Sequence, residues 1–346
     1  MTADSLLAIT VLWGFVFIYA VMATMDFGAG FWSMIYINKE KTNATNIANR
    51  YLSPTWEVTN VFIVAIVIAL VSFFPGATFI LGTVLLLPGS FILILLALRS
   101  GFLVFSHVAK DYEKALTYVS GISGFIIPAL LMLVLPITHG EYIEVVNGVH
   151  QLQFGAMFTS PNIYAFMAFA ISSTLFLSSL LLADYSNVAG EPEAYRVYRR
   201  DAIILGPISL LMAFLIMFTL KTEANWLYTN MLEYTPFLIG SVSFFVIAGA
   251  AMFLPSKKHK LAIGRPRLAV VAVTIQYLLA SLAYGRAHLP YMIYPDVTIL
   301  SGFTHPNTFR TLIITYLVGF LILFPGFIYF WKLFMKDKRY LKQNES

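Results

Sequence analysis

The sequence predicts an all-α integral membrane protein, and two features of it carry this prediction. Of its 346 residues, 59% are hydrophobic and only 11% are charged, whereas soluble domains contain about 25% charged residues. Polar side chains are therefore too few to cover a globular surface in water, so most of the surface must face lipid. Long apolar stretches also recur along the chain, and about 20 such residues cross a bilayer core of about 30 Å as a helix.

Nine of these stretches predict nine transmembrane helices. Polar segments separate them, and only a helix or a closed barrel satisfies its backbone hydrogen bonds inside lipid. The predicted spans are Leu6 to Phe31, Glu57 to Phe74, Phe79 to His107, Leu116 to Ile137, Asn162 to Asp184, Ala202 to Leu220, Phe237 to Leu254, Leu268 to Tyr291 and Thr311 to Phe334.

The distribution of lysine and arginine predicts the orientation of the spans. These residues collect on the cytoplasmic side of a membrane, and 18 of the 22 fall in one alternate set of connections. The opposite set holds Lys221, Arg286 and Arg310, and Arg99 lies inside the third span. The N-terminus is therefore predicted outside and the C-terminus in the cytoplasm. The 18 residues are Lys39, Lys41, Arg50, Lys110, Lys114, Arg196, Arg199, Arg200, Lys257, Lys258, Lys260, Arg265, Arg267, Lys332, Lys336, Lys338, Arg339 and Lys342.

The chain also shows signs of an internal duplication. Asp26 lies late in the first span and Asp184 ends the fifth, and each span is followed by a polar cytoplasmic loop and another helix. Such a parallel repeat occurs in transporters and in respiratory subunits. We predict two four-helix bundles related by pseudo-symmetry, residues 1–140 and 141–295, and a peripheral ninth helix with a basic tail, residues 296–346.

Composition excludes several kinds of site. The chain contains no cysteine, which removes disulfides, thiolate metal sites, iron–sulfur ligation and c-type haem attachment. The net charge of +5 is not gathered into a basic run with interleaved aromatic residues, so we predict no nucleic-acid partner.

Three ionisable residues lie where a charge is costly. Asp26, Glu57 and Arg99 fall in the cytoplasmic third of the first three spans, and insertion of each costs about 2.5 to 3.5 kcal/mol. One interpretation is an ion pair or triad that joins three helices. The other is a proton path, because a sheltered carboxyl group beside an arginine can take up and release protons near neutral pH.

The residues around these acids allow structural and functional interpretations. Gly28 and Gly30 permit a close approach to a neighbouring helix or a bend. Trp56 is either an aromatic residue of the membrane interface or a contact of a quinone-like ring or partner helix. Prolines within the spans, such as Pro88, shape the bundle or, in a transporter, open a substrate site.

The histidines do not predict a haem site. A haem b in a bilayer needs an axial nitrogen, usually from a helix interior, and all six histidines fall in loops or at helix ends. We therefore predict that the chain binds no haem of its own and no metal. The loop histidines are His139, His150, His259 and His305, and those at helix ends are His107 and His288.

Several motifs resemble subunit II of cytochrome bd-type quinol oxidases. The first is Asp26-Phe27-Gly28-Ala29-Gly30, and the second, after a basic loop, is Pro54-Thr55-Trp56-Glu57-Val58-Thr59-Asn60-Val61-Phe62. Further agreement comes from Arg99, from the segment 190–195 and from the segment 288–295. The likeness extends from the first helix to the ninth.

The sequence departs from the family pattern at two places. Many members carry a double acid where this chain reads Ala23-Thr24-Met25-Asp26, so only the second acid is kept. Members often have aspartate after the tryptophan, followed by Gly-Asn, where this chain has Glu57 and then Val58-Thr59. A route through the missing first acid is therefore not expected, and the carboxyl group of residue 57 is displaced by one methylene.

The resemblance implies a function for the chain. It implies a partner, subunit I, that carries two haems b, a haem d and the quinol site, in a complex that oxidises quinol, reduces dioxygen to water and takes protons from the cytoplasm. Asp26 and Glu57 would line a route for those protons, and Arg99 would be a charge partner. Trp56 and Asn60 are candidates for an interface or for a quinone or lipid contact. Small single-helix subunits are possible further partners.

Two alternatives stay open at this point. An ion-coupled secondary transporter is also a duplicated bundle with buried acids and kinked helices, but it should cluster polar residues at the midplane of both halves. A structural scaffold, in which the acids only join helices, differs from the proton-path hypothesis in the kinetics of its variants.

Overall fold

The computed structural model describes residues 1–106, 112–255 and 263–336, excepting the side chains of residues 40, 53–57, 106, 113, 330, 331 and 333–336. It consists of helices with two short antiparallel hairpins. The helices are α1 (Ala3–Tyr36), α2 (Ala44–Phe73), α3 (Pro75–Val84), α4 (Leu86–Ser106), α5 (Glu113–Met132), α6 (Val134–Thr138), α7 (Phe154–Thr159), α8 (Pro161–Ala189), α9 (Pro192–Glu223), α10 (Asn225–Glu233), α11 (Thr235–Ala251), α12 (Pro266–His288), α13 (Ile299–Gly302) and α14 (Pro306–Lys336). The strands are β1 (Ile143–Val146), β2 (Val149–Leu152), β3 (Tyr291–Ile293) and β4 (Val297–Thr298), and a 3-10 turn covers Glu40–Thr42.

The all-α membrane class is confirmed. Within the described residues, seven helices are long and apolar enough to cross a membrane, and the pair α10 and α11, bent by 78°, is an eighth candidate. The apolar part of α2, Val58–Phe73, is shorter than these helices and is not counted among them. Every predicted span overlaps one or two helices of the structure, while the number nine itself stays a prediction.

The third predicted span is wrong as a single continuous helix. The sequence predicts one helix from Phe79 to His107, but the chain breaks at Leu85, where φ is −94° and ψ is 9°. Pro88 explains the break, because proline has no N–H to bond the carbonyl of Val84 and its ring clashes with that carbonyl. His107 itself lies outside the described residues.

The same sequence of helix breaks occurs twice. The chain leaves α2 at Phe74, with φ −132° and ψ 60°, and leaves α9 at Ala224, with φ −138° and ψ 60°. A short helix follows each time and ends at a second break, Leu85 in the first case and Tyr234 in the second. A two-stranded hairpin follows α6 in the first half, β1–β2, and follows α12 in the second half, β3–β4. The backbone thus repeats at a level that the amino-acid sequence barely shows.

Two helices form the centre of the bundle. Helix α1 packs against α2, α5 and α8, and α8 packs against α9, α12 and α5. Helix α14 touches the rest of the chain near its start, through residues such as Phe309 and Tyr316. Farther along, the consecutive residues Leu321, Ile322 and Leu323 are each at least 67% exposed. No face of α14 is covered there, as suits a helix surrounded by lipid or by another subunit.

Contacts between helix ends agree with the predicted sides of the membrane. Tyr36 and Asp201 both belong to the predicted cytoplasmic ends of their helices, and the Tyr36 hydroxyl donates a hydrogen bond to the Asp201 carboxylate. At the predicted outer side, Arg310 lies 3.0 Å from Asp4. The orientation of the chain in the membrane stays a prediction.

Candidate functional site

A buried ion pair joins α1 to α4. Asp26 is 3% exposed and Arg99 is 2% exposed. The Arg99 Nη2 lies 2.9 Å from the Asp26 Oδ1 and 2.8 Å from the backbone oxygen of the same residue. The two charges that the sequence placed in neighbouring helices are therefore in direct contact.

A serine on α5 completes the surroundings of the arginine. The Arg99 Nη1 lies 2.6 Å from the Ser120 carbonyl oxygen and 2.9 Å from its Oγ. The guanidinium also lies 5.3 Å from the centre of the Phe27 ring, within the range of a cation–π contact. Ser120 was not among the predicted site residues. Its sequence signal is weak, namely that Thr117, Ser120 and Ser123 recur at a three-residue spacing that places them along one side of a helix.

Two glycines of α1 let this helix pack closely against the ion pair and against α8. A Cβ at Gly30 would lie 2.8 Å from the Arg99 Nη1 and 2.8 Å from the Ser120 Oγ, closer than side-chain atoms pack. A Cβ at Gly28 would lie 2.1 Å from the Ser178 Oγ on α8. The close approach predicted for these two glycines is confirmed. Gly30 therefore leaves room for the guanidinium, and Gly28 lets α1 contact α8.

The electrostatics of the site follow from this geometry. Removing a carboxylate and a guanidinium from water is costly, and the cost is offset only when the pair is close and its remaining hydrogen bonds are made. Here the Arg99 guanidinium makes four such contacts, two to Asp26 and two to Ser120. Among the described residues, the Arg99 Nε has no hydrogen-bond partner. The site therefore supplies hydrogen-bond partners to both charged groups inside the bundle.

The second predicted acid lies on α2. The backbone of Trp56 and Glu57 belongs to this helix, but their side chains lie outside the described residues. Asn60 is half-buried on the same helix. Whether Glu57 joins the Asp26–Arg99 pair stays a prediction.

The counterpart of Asp26 in the second half is arranged differently. Asp184 lies 3.1 Å from Arg267 of α12, and the side chain of this arginine is 68% exposed. This acid therefore neutralises a basic residue near the predicted cytoplasmic surface.

Two histidines are more buried than their sequence positions suggested. His139 follows α6 and is 0% exposed, and His288 ends α12 and is 9% exposed. Their rings lie 6.0 Å apart. Tertiary packing buries both, although the sequence places one in a loop and the other at a helix end. The ring nitrogens of His139 are within hydrogen-bond distance of Tyr284 and Asn162. That the chain binds no haem of its own stays a prediction. His107 and His259 lie outside the described residues.

Comparison with known proteins decides the family. A sequence model of the family "Cytochrome bd terminal oxidase subunit II" matches residues 5–334 of the chain. The chain belongs to this family. A relative of this subunit II from Bacillus subtilis (strain 168), provisionally named a cytochrome bd menaquinol oxidase subunit II, is 68% identical over 345 residues, which cover 100% of this chain and 99% of the relative. A chain in the structure of the bd oxidase from Geobacillus thermodenitrificans is similar with a TM-score of 0.81 and 33% identity, over 97% of this chain and 100% of that chain.

Membership of the family confirms the resemblance noted from the motifs. This subunit II is part of an oxidoreductase of the bacterial membrane, in a complex that contains haem and uses a quinol. A subunit II implies a subunit I as its partner. The transporter alternative is therefore set aside, because the match covers nearly the whole chain.

Proposed function

We propose that this subunit supports a haem-bearing subunit I and contributes a proton route to it from the cytoplasm. In this proposal Asp26 and Glu57 line the proton route, and Arg99 is the charge partner of Asp26. The observation that supports it best is the Asp26–Arg99 pair, which buries both side chains at the junction of α1, α4 and α5. Structural ion pairs are more often exposed on at least one side, so burial of both partners calls for a function.

The geometry around Asp26 suits a group that exchanges protons. Arg99 contacts Oδ1 of the carboxylate, and among the described residues no side chain donates to Oδ2. A water molecule or a proton can therefore reach Oδ2 while the contact with Oδ1 persists.

The complex as a whole is proposed from the family and the relatives. We expect two haems b and a haem d, together with the quinol site, in subunit I, and no cofactor held by this chain alone. The Bacillus subtilis relative is named for menaquinol, and we propose the same substrate class here. Lipids and small single-helix subunits are expected at the outer faces of the helices, including the fully exposed part of α14.

A spectrum tests the assembly directly. The complex is purified in mild detergent from native membranes, and its reduced-minus-oxidised absorption is measured beside a mass-spectrometric inventory of the proteins present. Haem b and d bands together with a second large membrane protein are expected. A colourless chain without a partner, under conditions gentle enough to preserve complexes, would overturn the proposal.

Site-directed variants test the proton route. Glu57→Gln and Asp26→Asn should slow oxygen uptake while the haem bands keep their intensity, because the haems belong to the partner. Asp184→Asn is the matched control, since its acid pairs with an exposed arginine, and it should leave oxygen uptake unchanged. Unchanged uptake in both Glu57→Gln and Asp26→Asn would leave the acids a purely structural role.

We further propose the predicted domain division and orientation. Residues 1–140 and 141–295 form the two bundles and 296–346 the peripheral helix and tail, which the matching breaks at Phe74 and Ala224 support. Because the natural chain has no cysteine, single cysteines report accessibility without background. Lys39→Cys should react with an impermeant thiol reagent only after cells are opened, and Arg310→Cys should react in intact cells. The reverse pattern would invert the topology.

A further inference from the structure

A second buried polar cluster lies on the opposite side of the protein, the predicted outer side of the membrane. His139 comes from the segment after α6, Tyr284 and His288 come from α12, and Trp226 comes from α10. Their rings are in mutual contact, with centroids of 5.3 Å for Trp226 and His288 and 5.9 Å for Tyr284 and His288. This outer cluster therefore brings together three separate parts of the chain.

The hydrogen bonds of His139 are fully accounted for. The Oδ1 of Asn162 accepts from the Thr219 hydroxyl at 2.9 Å, so its amide Nδ2 faces the His139 Nδ1 at 3.5 Å as a donor. The other ring nitrogen, Nε2, lies 2.8 Å from the Tyr284 hydroxyl, so both ring nitrogens have a hydrogen-bond partner. Burial, with His288 beside it, lowers the pKa of His139 well below its usual value. His139 is accordingly a neutral residue with both nitrogens satisfied.

One ring nitrogen of His288, in contrast, has no hydrogen-bond partner among the described residues. Its Nδ1 lies 2.9 Å from the backbone oxygen of Tyr291, and a carbonyl oxygen only accepts, so Nδ1 carries a proton. No ion pair of the described residues involves His288, and a buried charge without a partner is strongly disfavoured. The ring is therefore neutral, and its Nε2 is an unprotonated acceptor. Among the described residues this Nε2 is buried and has no hydrogen-bond partner.

The neighbouring ring, that of Trp226, carries a hydrogen-bond donor that also lacks a partner. Its Nε1 is an obligate donor, is buried, and likewise has no partner among the described residues. Its ring is fixed by stacking on Tyr294, with centroids 4.3 Å apart. One orphaned donor and one orphaned acceptor therefore lie on two rings in contact. Native proteins satisfy nearly all buried polar atoms, and ordered water is the usual partner when protein groups do not reach.

We propose that a single buried water molecule occupies this place, accepting a hydrogen bond from the Trp226 Nε1–H and donating one to the His288 Nε2. The ligand must accept a hydrogen bond from the Trp226 Nε1–H and donate one to the His288 Nε2, and a water molecule does both. A quinone carbonyl is excluded as well, since it has no proton to give to an unprotonated nitrogen.

The water adds a hydrogen-bonded link between elements that already contact one another through Trp226, Tyr291 and Tyr294. Trp226 lies two residues after the break at Ala224, and Tyr291 begins the hairpin β3–β4. A bridge from Trp226 through His288 to Tyr291 therefore fixes α10, the end of α12 and the hairpin relative to one another. This inference is independent of the proton route, because the outer cluster and the Asp26–Arg99 pair share no residue.

High-resolution electron cryomicroscopy of the whole oxidase complex tests the inference. Density for one ordered atom within hydrogen-bond distance of both nitrogens is expected. Trp226→Phe keeps an aromatic ring but removes the donor, and it should abolish the density and speed amide hydrogen exchange in residues 289–298. Trp13→Phe is the matched control, because the Trp13 Nε1 already donates to the Ser281 Oγ at 2.9 Å, and the density should persist there.

Three outcomes would overturn the inference. One is an empty space between the two nitrogens in the unaltered complex. Another is density that survives unchanged in Trp226→Phe. The third is a feature with the longer contacts of a chloride ion, which would mean that His288 is protonated on both nitrogens.

Discussion

Replacing Arg99 with methionine would remove the positive charge of the buried ion pair while keeping a long apolar side chain. The four hydrogen-bond contacts of the guanidinium would be lost, two to Asp26 and two to Ser120. The Asp26 side chain is 5% exposed, so its carboxylate would then be buried without a partner or would have to take up a proton. Breaking a buried pair in this way costs about 3 to 5 kcal/mol. We expect the lower end, about 3 kcal/mol, because polar groups in a membrane find partial replacements for lost partners.

A double-mutant cycle separates the ion pair from the other effects of each substitution. Asp26→Asn leaves the arginine uncompensated and should also cost about 3 kcal/mol. The double variant with Arg99→Met contains neither charge. Its loss in the free energy of unfolding should therefore be smaller than the sum of the losses of the two single variants. We expect a coupling free energy of about 2 kcal/mol, within the range found for residues in direct contact.

The cycle is measured on the assembled complex in one detergent at one protein concentration. Denaturant titrations give the free energy of unfolding, and haem absorbance reports whether subunit I stays bound. Additivity of the two single losses, to within about 0.5 kcal/mol, would refute the reasoning, because it would mean that the two side chains do not act as a pair. Equal stability of the Arg99→Met variant and the natural protein would refute it too.

The remaining predictions concern the surroundings of the pair and one loop residue. Gly30→Ala should destabilise the protein by about 1 to 3 kcal/mol through overpacking, whereas Gly14→Ala on the same helix, which meets nothing within 4 Å, should be neutral or stabilising in the same denaturant titration. Ser120→Ala should cost about 1.5 kcal/mol, as for a hydrogen bond to a charged group. Ser123→Ala should cost much less, because among the described residues the Ser123 hydroxyl bonds only carbonyls of its own helix. Equal losses would mean that Ser120 does not stabilise the arginine. Burial raises the pKa of Glu141, so the folded state binds the proton more tightly, and stability falls as pH rises from the ordinary glutamate pKa through the raised one. Glu141→Gln should therefore melt at a higher temperature than the natural protein at neutral pH but not in acid, and parallel melting curves at all pH values would contradict this.

The sequence was sufficient for the membrane class, the approximate spans and the family. Hydropathy works here because each span must bury its own backbone in lipid, so its signal is local in the chain. The candidates Asp26 and Arg99 could be found for the same reason, since a charge in an apolar stretch stands out. That they contact each other depends on the packing of α1 against α5 and of α4 against α5, which brings together residues 73 positions apart.

Other features depend on contacts that leave little trace in the sequence. Ser120 is one serine among several on α5, and only the position of the arginine gives it a role. The break at Leu85 has a local cause in Pro88, but the matching break at Tyr234 shows that the two short helices also belong to a repeated architecture. The sequence places His139 in a loop and His288 at a helix end, and it does not show their burial, because burial there is decided by the segments that cover them.

The two halves share their helix breaks but not their buried charges. Of the ion pairs between described residues, only Asp26–Arg99 buries both side chains, at 5% and 2% exposure. In the second half, Asp184 and Asp201 pair with arginines that are 68% and 59% exposed. A carrier that alternates about its midplane needs comparable groups in both repeats, so this asymmetry agrees with the oxidase family and not with a transporter. The duplication accounts for the scaffold, and the departure from symmetry confines the proposed proton route to α1, α4 and α5, together with the Glu57 position on α2.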